Sequence, residues 1–293
     1  MNDPFFRIYF PHLLLSENVL NLSAIFKSDT PILFGKDADY YQHSQTTDML
    51  RKFAFLCLLL TGISFQNYVT ASVPDSTLLI KKTSDFKVDG EGTSKNWALA
   101  NWFDLTVQTG PKQTVPGKSF PTKVKILYSE KGVYFLFDCT DKKLTSTIME
   151  DFGTLFKEDV VEVFLWPDTS EPIYLEYEIS PLNYELAILV PNLKGKMQGW
   201  RPWFYNETNR VQHETSAQGG QKKSMASVEG WKAEFFIPYT LMNPIVQSPP
   251  KSGTKWKGNF YRIDYDSETA YYSWKKTSGS FHEFNKFGTL IFE

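Results

Sequence analysis

Phe156-Lys157-Glu158-Asp159-Val160-Val161-Glu162-Val163-Phe164-Leu165-Trp166 is the stretch that decides the fold. β-Branched and aromatic residues dominate it, and Pro167-Asp168 closes it with a turn signal, so it reads as a strand. Alternation puts Val161, Val163 and Leu165 on one face, with Asp159 leading in, and Val160, Glu162 and Phe164 on the other. Both faces are therefore largely apolar, and a glutamate sits between Val and Phe on the second. Such a carboxylate belongs to a solvated sheet face or edge, or else to a shallow polar groove.

The same kind of segment recurs on both sides. Upstream, Lys123 to Tyr128 and Val133 to Asp138 flank the turn Ser129-Glu130-Lys131-Gly132 and predict a hairpin. Downstream, Tyr174 to Ile179 and Glu185 to Val190 predict two more strands, the first with carboxylates at Glu176 and Glu178. Trp231 to Ile237, Lys257 to Tyr265, Tyr271 to Trp274 and Phe287 to Phe292 continue the series. Thr106 to Pro121 and Pro191 to Ser227 are polar and rich in turn formers, and read as loops; the second carries Trp200, Arg201, Trp203, Tyr205 and Arg210. Short strands, regular turn signals and almost no helical period predict an all-β chain folded as an antiparallel β-sandwich over residues 72–293.

The N-terminal residues read differently. Arg51 and Lys52 precede a largely apolar run from Phe53 to Phe65, and Val69-Thr70-Ala71 offers the small residues that a signal peptidase reads. Residues 49–71 are thus expected to be a signal peptide cleaved after Ala71, starting at Met49. That leaves residues 1–48 as an upstream extension, expected to reflect a start placed too far upstream, with a genuine N-terminal extension and internal anchor as the alternative. The mature chain is then secreted, periplasmic or displayed at the cell surface, with no membrane span. Once Cys57 is removed, Cys139 is the one remaining thiol, so neither an intrachain disulfide nor a cysteine metal cluster is expected. A net charge of -2 in 293 residues gives no electrostatic reason to bind nucleic acid. Aromatics at 16% fit a filled β core, a stacking surface for sugars or bases, or both.

Taken in order, several short motifs carry a resemblance. They are Val88-Asp89-Gly90 before Trp97, the Leu127-Tyr128 to Phe137-Asp138 hairpin, Asp159-Val160-Val161-Glu162-Val163-Phe164, Gly230-Trp231-Lys232-Ala233-Glu234 and Phe287-Gly288-Thr289-Leu290. Asn259-Phe260-Tyr261-Arg262, Tyr272-Ser273-Trp274 and Phe281-His282 extend it. The set, from about Leu79 to Glu293, resembles the family 9 carbohydrate-binding module in its single-domain secreted form from Bacteroidota. The resemblance implies a jelly-roll-like sandwich, non-catalytic binding of an oligo- or polysaccharide in support of glycan capture and carbohydrate catabolism, glycan-degrading enzymes as partners, and a structural calcium. It also implies a site. In the best-understood members two tryptophans sandwich a sugar ring and a glutamate bonds its hydroxyls; the matching positions here are Phe156, Phe281 and Glu162. An arginine on the following strand of those members falls near Glu178 and is absent here.

Sugar recognition needs flat aromatic faces and planar polar side chains. Phe156, Glu162 and Phe281 supply that minimum, and Trp274, Trp200, Arg201 and Trp203 would add area if the Pro191–Ser227 segment folds over the site. No set of metal ligands is evident from sequence. Two other readings compete. Glu162, Glu176 and Glu178 could place two carboxyls on adjoining strands at a glycoside-hydrolase separation. Related sandwiches of the dopamine-monooxygenase N-terminal type bind haem through Met and His, for which His213 or His282 with Met197 or Met225 would serve. Arg262 and Asp264 alternate on one strand face and are expected to form a structural ion pair.

Overall fold

The computed structural model describes residues 76–108, 120–203, 209–246, 248–266 and 268–293. The upstream extension, the signal segment and Tyr205 lie outside them. Fourteen strands follow one another: β1 (Thr77–Lys82), β2 (Phe103–Val107), β3 (Thr122–Tyr128), β4 (Gly132–Thr140), β5 (Val160–Trp166), β6 (Ile173–Ile179), β7 (Glu185–Leu193), β8 (Lys196–Met197), β9 (Arg201–Pro202), β10 (Gln212–Gln218), β11 (Gly230–Pro238), β12 (Lys255–Asp264), β13 (Ala270–Ser273) and β14 (Gly288–Phe292). The only helical pieces among the described residues are short 3-10 turns, such as Lys95–Leu99 and Leu155–Lys157.

The strands fold into two layers. One runs β10-β11-β4-β3 and the other β14-β12-β5-β6-β7, with β1 between them. The pairing is antiparallel except at β1, which lies parallel to β14 through Thr77–Ile80 and parallel to β3 through Lys81 and Lys82. β2 makes a second seam, pairing with β3 at one end and β13 at the other. The chain is therefore a β-sandwich, mixed at this one strand.

The opening strand sits where its residues dictate. Val161, Val163 and Leu165 of β5 enter the core between the layers, beside Phe135, Phe235, Tyr177 and Phe260. Val160 and Phe164 face outward into a second apolar cluster with Tyr174, Ile188, Tyr261 and Phe287. A third cluster, around Trp97, Tyr134 and Phe236, covers the outer face of the other layer. With apolar packing on three levels, a strand buried on both faces reads as continuous apolar sequence.

One expectation is corrected. Pro191–Ser227 is not all loop, because it holds β8, β9 and β10. β10, with the sequence QHETSAQ, runs along β11 as an edge strand with only one neighbour, so polar side chains are tolerated and no apolar alternation betrays it. Cys139 is fully buried, and burial pushes its thiol up to about 12.

Arg262 and Asp264 do form the expected pair, inside the sandwich. The guanidinium donates to Asp141 at 2.9 Å, Asp264 at 3.2 Å, Thr122 Oγ1 at 3.0 Å and the Thr140 carbonyl at 2.7 Å. A fully buried arginine needs such a set, since each unpaired donor would keep its desolvation cost.

Candidate functional site

The outer face of the β5–β6 layer carries a cavity of about 380 Å3, inside the range of about 300–1,000 Å3 usual for small-molecule sites. Its floor is made by register. Glu162 on β5 stands opposite Glu178 on β6, and Phe164 opposite Glu176, so the three carboxyls share one face. Ile188 of β7 and Ile263 of β12 extend the floor. The walls are Phe156, Tyr271, Gly279, Phe281 and His282 on one side and Met197 with Trp200 on the other.

The walls are braced from behind. Phe281 stacks on Tyr261 with 4.0 Å between ring centroids and planes 14° apart. The Tyr261 hydroxyl donates to the Phe281 carbonyl at 2.7 Å and accepts from Asn259 Nδ2 at 2.7 Å. Asn259 also holds both the N–H and the carbonyl of Lys275, and Gln108 exchanges hydrogen bonds with Thr277, so the segment from Lys275 to Phe287 is fixed at several points. Phe156 rides on the Leu155–Lys157 turn, whose flank Glu158-Asp159 ties down two loops. Glu158 accepts from the Ile148 N–H at 2.9 Å, and Asp159 accepts from Thr145 N at 2.6 Å and Tyr265 N at 2.7 Å. Burial nonetheless pushes the Asp159 carboxyl up to about 8. Trp200, 41% exposed, is the least buried aromatic of the cavity and the one free to meet a ligand without losing core packing.

Electrostatics set this floor apart. Glu162, Glu176 and Glu178 are 2%, 4% and 0% exposed. Burial raises all three well above the ordinary glutamate value, and each also feels a neighbouring carboxyl: Glu178 acts on Glu162, Glu162 on Glu176, and Glu176 on Glu178. No hydrogen bond of good geometry reaches Glu176 Oε2 or either Glu178 oxygen; the nearest influences on Glu178 are the Glu176 carboxyl and the Phe156 N–H. His282 does not supply a positive charge. Burial lowers it to about 4, and its Nδ1 shares a 2.8 Å hydrogen bond with the Tyr174 hydroxyl while Glu176 Oε2 stays 3.7 Å away.

Of the residues singled out in the sequence, Phe156, Glu162, Phe281 and Trp200 come together in this cavity, and Trp274, Trp203 and Arg201 stand outside it. Trp274 packs in the inter-layer core with Phe260 and Phe103. Its ring lies on Gly288, where a Cβ would come within 2.2 Å, so the Phe287-Gly288 motif is a packing device. Trp203 donates its Nε1–H to the Leu241 carbonyl at 2.7 Å and packs against the core, anchoring the β9 segment. Arg201 is opposite Leu189, and Leu189 packs against the inter-layer core; Pro202, not Arg201, is opposite the cavity residue Ile188. Of the haem-ligand candidates, His282 and Met197 line the cavity. His213 is bonded to Asn183 at 3.0 Å beside Glu185, and Met225 is exposed elsewhere.

From sequence, Glu176 and Glu178 are hydrolase candidates, and Glu178 also stands near the position of the family's arginine, but neither is expected as a sugar contact. The signal that could have moved them into the site is their alternation on the strand after Glu162. Like charges directly opposite are unfavourable on an open face, so a repeated pattern of them marks a special one.

The calcium implied by resemblance has one matching donor set among the described residues. Carboxylate oxygens of Asp141, Asp264 and Asp266 lie within 4.8 Å of one another. Asp266 Oδ1 is buried without a hydrogen-bond partner, and the three carboxylates face two cations, the buried Arg262 guanidinium and, at Asp266, Lys143. An all-oxygen set suits a hard divalent ion, so these residues fit the group.

Among curated proteins, none matches the sequence. The solved structures give matches at 17% identity. One is a Bacteroides uniformis protein whose carbohydrate binding is itself a provisional assignment, with a TM-score of 0.62 over 74% of this chain and 99% of that one. Another is a family 9 carbohydrate-binding module from Caldicellulosiruptor kristjanssonii, solved with cellotriose and with glucose, at a TM-score of 0.51 over 74% of this chain and 93% or 95% of those chains. The family model described as carbohydrate family 9 binding domain-like matches residues 88–293, and the chain belongs to that family.

Proposed function

We propose that the chain binds a carbohydrate without catalysis, in the cavity on the outer face of β5 and β6. One observation carries this reading: three aromatic side chains, Phe156, Trp200 and Phe281, and the carboxyl of Glu162 line one cavity of about 380 Å3. Rings offer the C–H face of a sugar an apolar platform, and carboxyls accept its hydroxyls. Relatives of the same family have been solved with cellotriose and glucose, which supports the class of ligand. Export through the signal segment, cleaved after Ala71, would place the site in the periplasm or at the cell surface, beside enzymes that degrade glycans. N-terminal sequencing of exported protein should begin at Ser72; a start well upstream argues against that part.

Calorimetry against a broad panel of oligosaccharides tests the binding. Trp200→Ala should weaken a bound sugar by about 1–3 kcal/mol with little change in melting temperature, and Phe281→Ala by a similar amount, on the scale of other ring-stacking truncations. A panel that gives no binding, with and without calcium, removes the reading. Calcium at Asp141, Asp264 and Asp266 is part of the same proposal. Added calcium should raise the melting temperature of the chelator-treated protein and not that of Asp266→Asn; equal responses would count against the site.

The rival chemistries fit less well. Glycoside hydrolysis pairs a protonated carboxyl with an ionised one, whereas all three carboxyls here are pushed the same way. A haem would bring its propionates to a cavity with three glutamates and no lysine or arginine among its lining residues.

A further inference from the structure

The cavity has a charge problem that a neutral sugar does not solve. Three glutamates form its floor, and no lysine or arginine lines it. The groups facing them from the surrounding elements are Tyr174 of β6, Tyr261 of β12, Tyr265 just after it, Tyr271 of β13 and His282, and none is a cation at neutral pH; His282 is lowered to about 4. Lys196 and Arg201, chain neighbours of Met197 and Trp200, are exposed and do not line it. Buried carboxyls normally have a counter-charge or a full set of donors. Here no hydrogen bond of good geometry reaches either Glu178 oxygen or Glu176 Oε2, and the groups acting on Glu178 are the Phe156 N–H and a second carboxyl, not a cation. The arrangement is accounted for when the missing cation arrives with the ligand.

We propose that the carbohydrate bound in this cavity carries a protonated amine, as a 2-amino-2-deoxy sugar does, and that the ammonium docks over Glu162, Glu176 and Glu178 beside the aromatic wall. This rests on the carbohydrate reading above and narrows it. The ring of such a sugar meets Phe156, Trp200 and Phe281, and its ammonium gains both carboxylate contact and the π-faces of those rings. Burial and mutual repulsion favour the protonated form of these carboxyls in the empty cavity. When the ammonium enters, a glutamate gives its proton to the solvent and becomes the counter-ion, so binding releases protons.

The experiment is titration calorimetry on the whole protein at neutral pH in two buffers of different ionisation enthalpy. The probes are a tetramer of glucosamine, the same tetramer fully N-acetylated, and the glucose tetramer, with the broad neutral panel alongside. The amine tetramer is expected to bind at least about tenfold more tightly than the other two, with a buffer-dependent enthalpy that reports proton release. Glu178→Gln should abolish both the preference and the proton release; if that variant does not fold, Glu176→Gln serves the same purpose. Equal binding of the three tetramers, or binding to neutral sugars alone, overturns the amine inference and leaves carbohydrate binding standing. A preference that survives both substitutions overturns the role of these carboxyls. Silence across every sugar overturns the inference and the carbohydrate reading together.

Discussion

Glu234 and Glu178 are both fully buried glutamates on central strands, yet their surroundings are opposite. Glu234 accepts from the N–H groups of Asp89 at 2.8 Å, Gly90 at 2.9 Å and Gly92 at 3.3 Å, and from Trp97 Nε1 at 2.7 Å. Val88-Asp89-Gly90, Trp97 and Glu234, far apart in the sequence, thus form one clasp that closes the segment around Gly90 over the outer face of β11. Gly90, at φ +77°, must be glycine, because a Cβ would meet the Thr215 nitrogen at 2.9 Å. Glu234→Ala would strand several of these donors, and should destabilise the fold by about 2–4 kcal/mol in urea unfolding, at about 1–3 kcal/mol per unsatisfied group. Because the clasp is in the opposite layer from the cavity, the affinity of the folded variant for sugar should not change. A stability within about 0.5 kcal/mol of the parent, the usual range for surface substitutions, would mean that the clasp does not hold the fold. Glu178, by contrast, receives no hydrogen bond of good geometry and feels only the Phe156 N–H and the Glu176 carboxyl.

At the level of elements, the β5–β6 pair ties stability to pH, and the sign follows from the raised carboxyls. Unfolded glutamates ionise near 4.5, whereas burial keeps Glu162, Glu176 and Glu178 protonated well above that in the folded chain. The folded state therefore binds more protons once the pH passes 4.5, and stability declines as pH rises through the folded values. His282 acts in the other direction, since its lowered value favours the folded state above the ordinary 6.5 and withdraws that contribution as pH falls toward 4. Comparing the parent with Glu178→Gln cancels His282 to first order. The variant should match the parent at about pH 4 and melt higher at about pH 8. Parallel melting curves at both ends would show that Glu178 carries no buried charge penalty. The existence of β5, and the division of its two faces, were legible from Val160 to Trp166 alone. The burial of its glutamate was not, because it depends on β6 lying in register and on a distant segment, Lys275 to Phe287, folding over both. The same limit misplaced Trp274 and Trp203. An aromatic in sequence carries no mark of whether its face meets Gly288, a backbone carbonyl or a ligand.

The described sandwich depends on where its first and last strands meet. β1 and β14 lie side by side, the first and last strands of the described chain, and β1 continues from β14 to β3 and so joins the two layers. The sequence shows this strand only as a short apolar run, Leu78-Leu79-Ile80, with no partner in view, which is why its parallel pairing was not foreseen. The family match begins at residue 88, after β1. The structure argues that a chain cut to that boundary is incomplete. Ile80 is 2% exposed in the inter-layer core, whereas Leu79 is 59% exposed. The Ser76 carbonyl accepts from Thr289 N at 2.7 Å, and the Ile80 carbonyl from Glu293 N at 2.9 Å. Removing β1 would open the facing edges of β3 and β14, which are pairing templates for other chains. A protein beginning at Ser76 should melt cooperatively as a monodisperse species, and one beginning at Val88 should aggregate or melt far lower. Ile80→Ala in the longer protein should cost about 2–4 kcal/mol, the range for truncating a buried aliphatic side chain, while Leu79→Ala should stay within about 0.5 kcal/mol. Equal melting of the two lengths would place the join between the layers at β2 and not at β1.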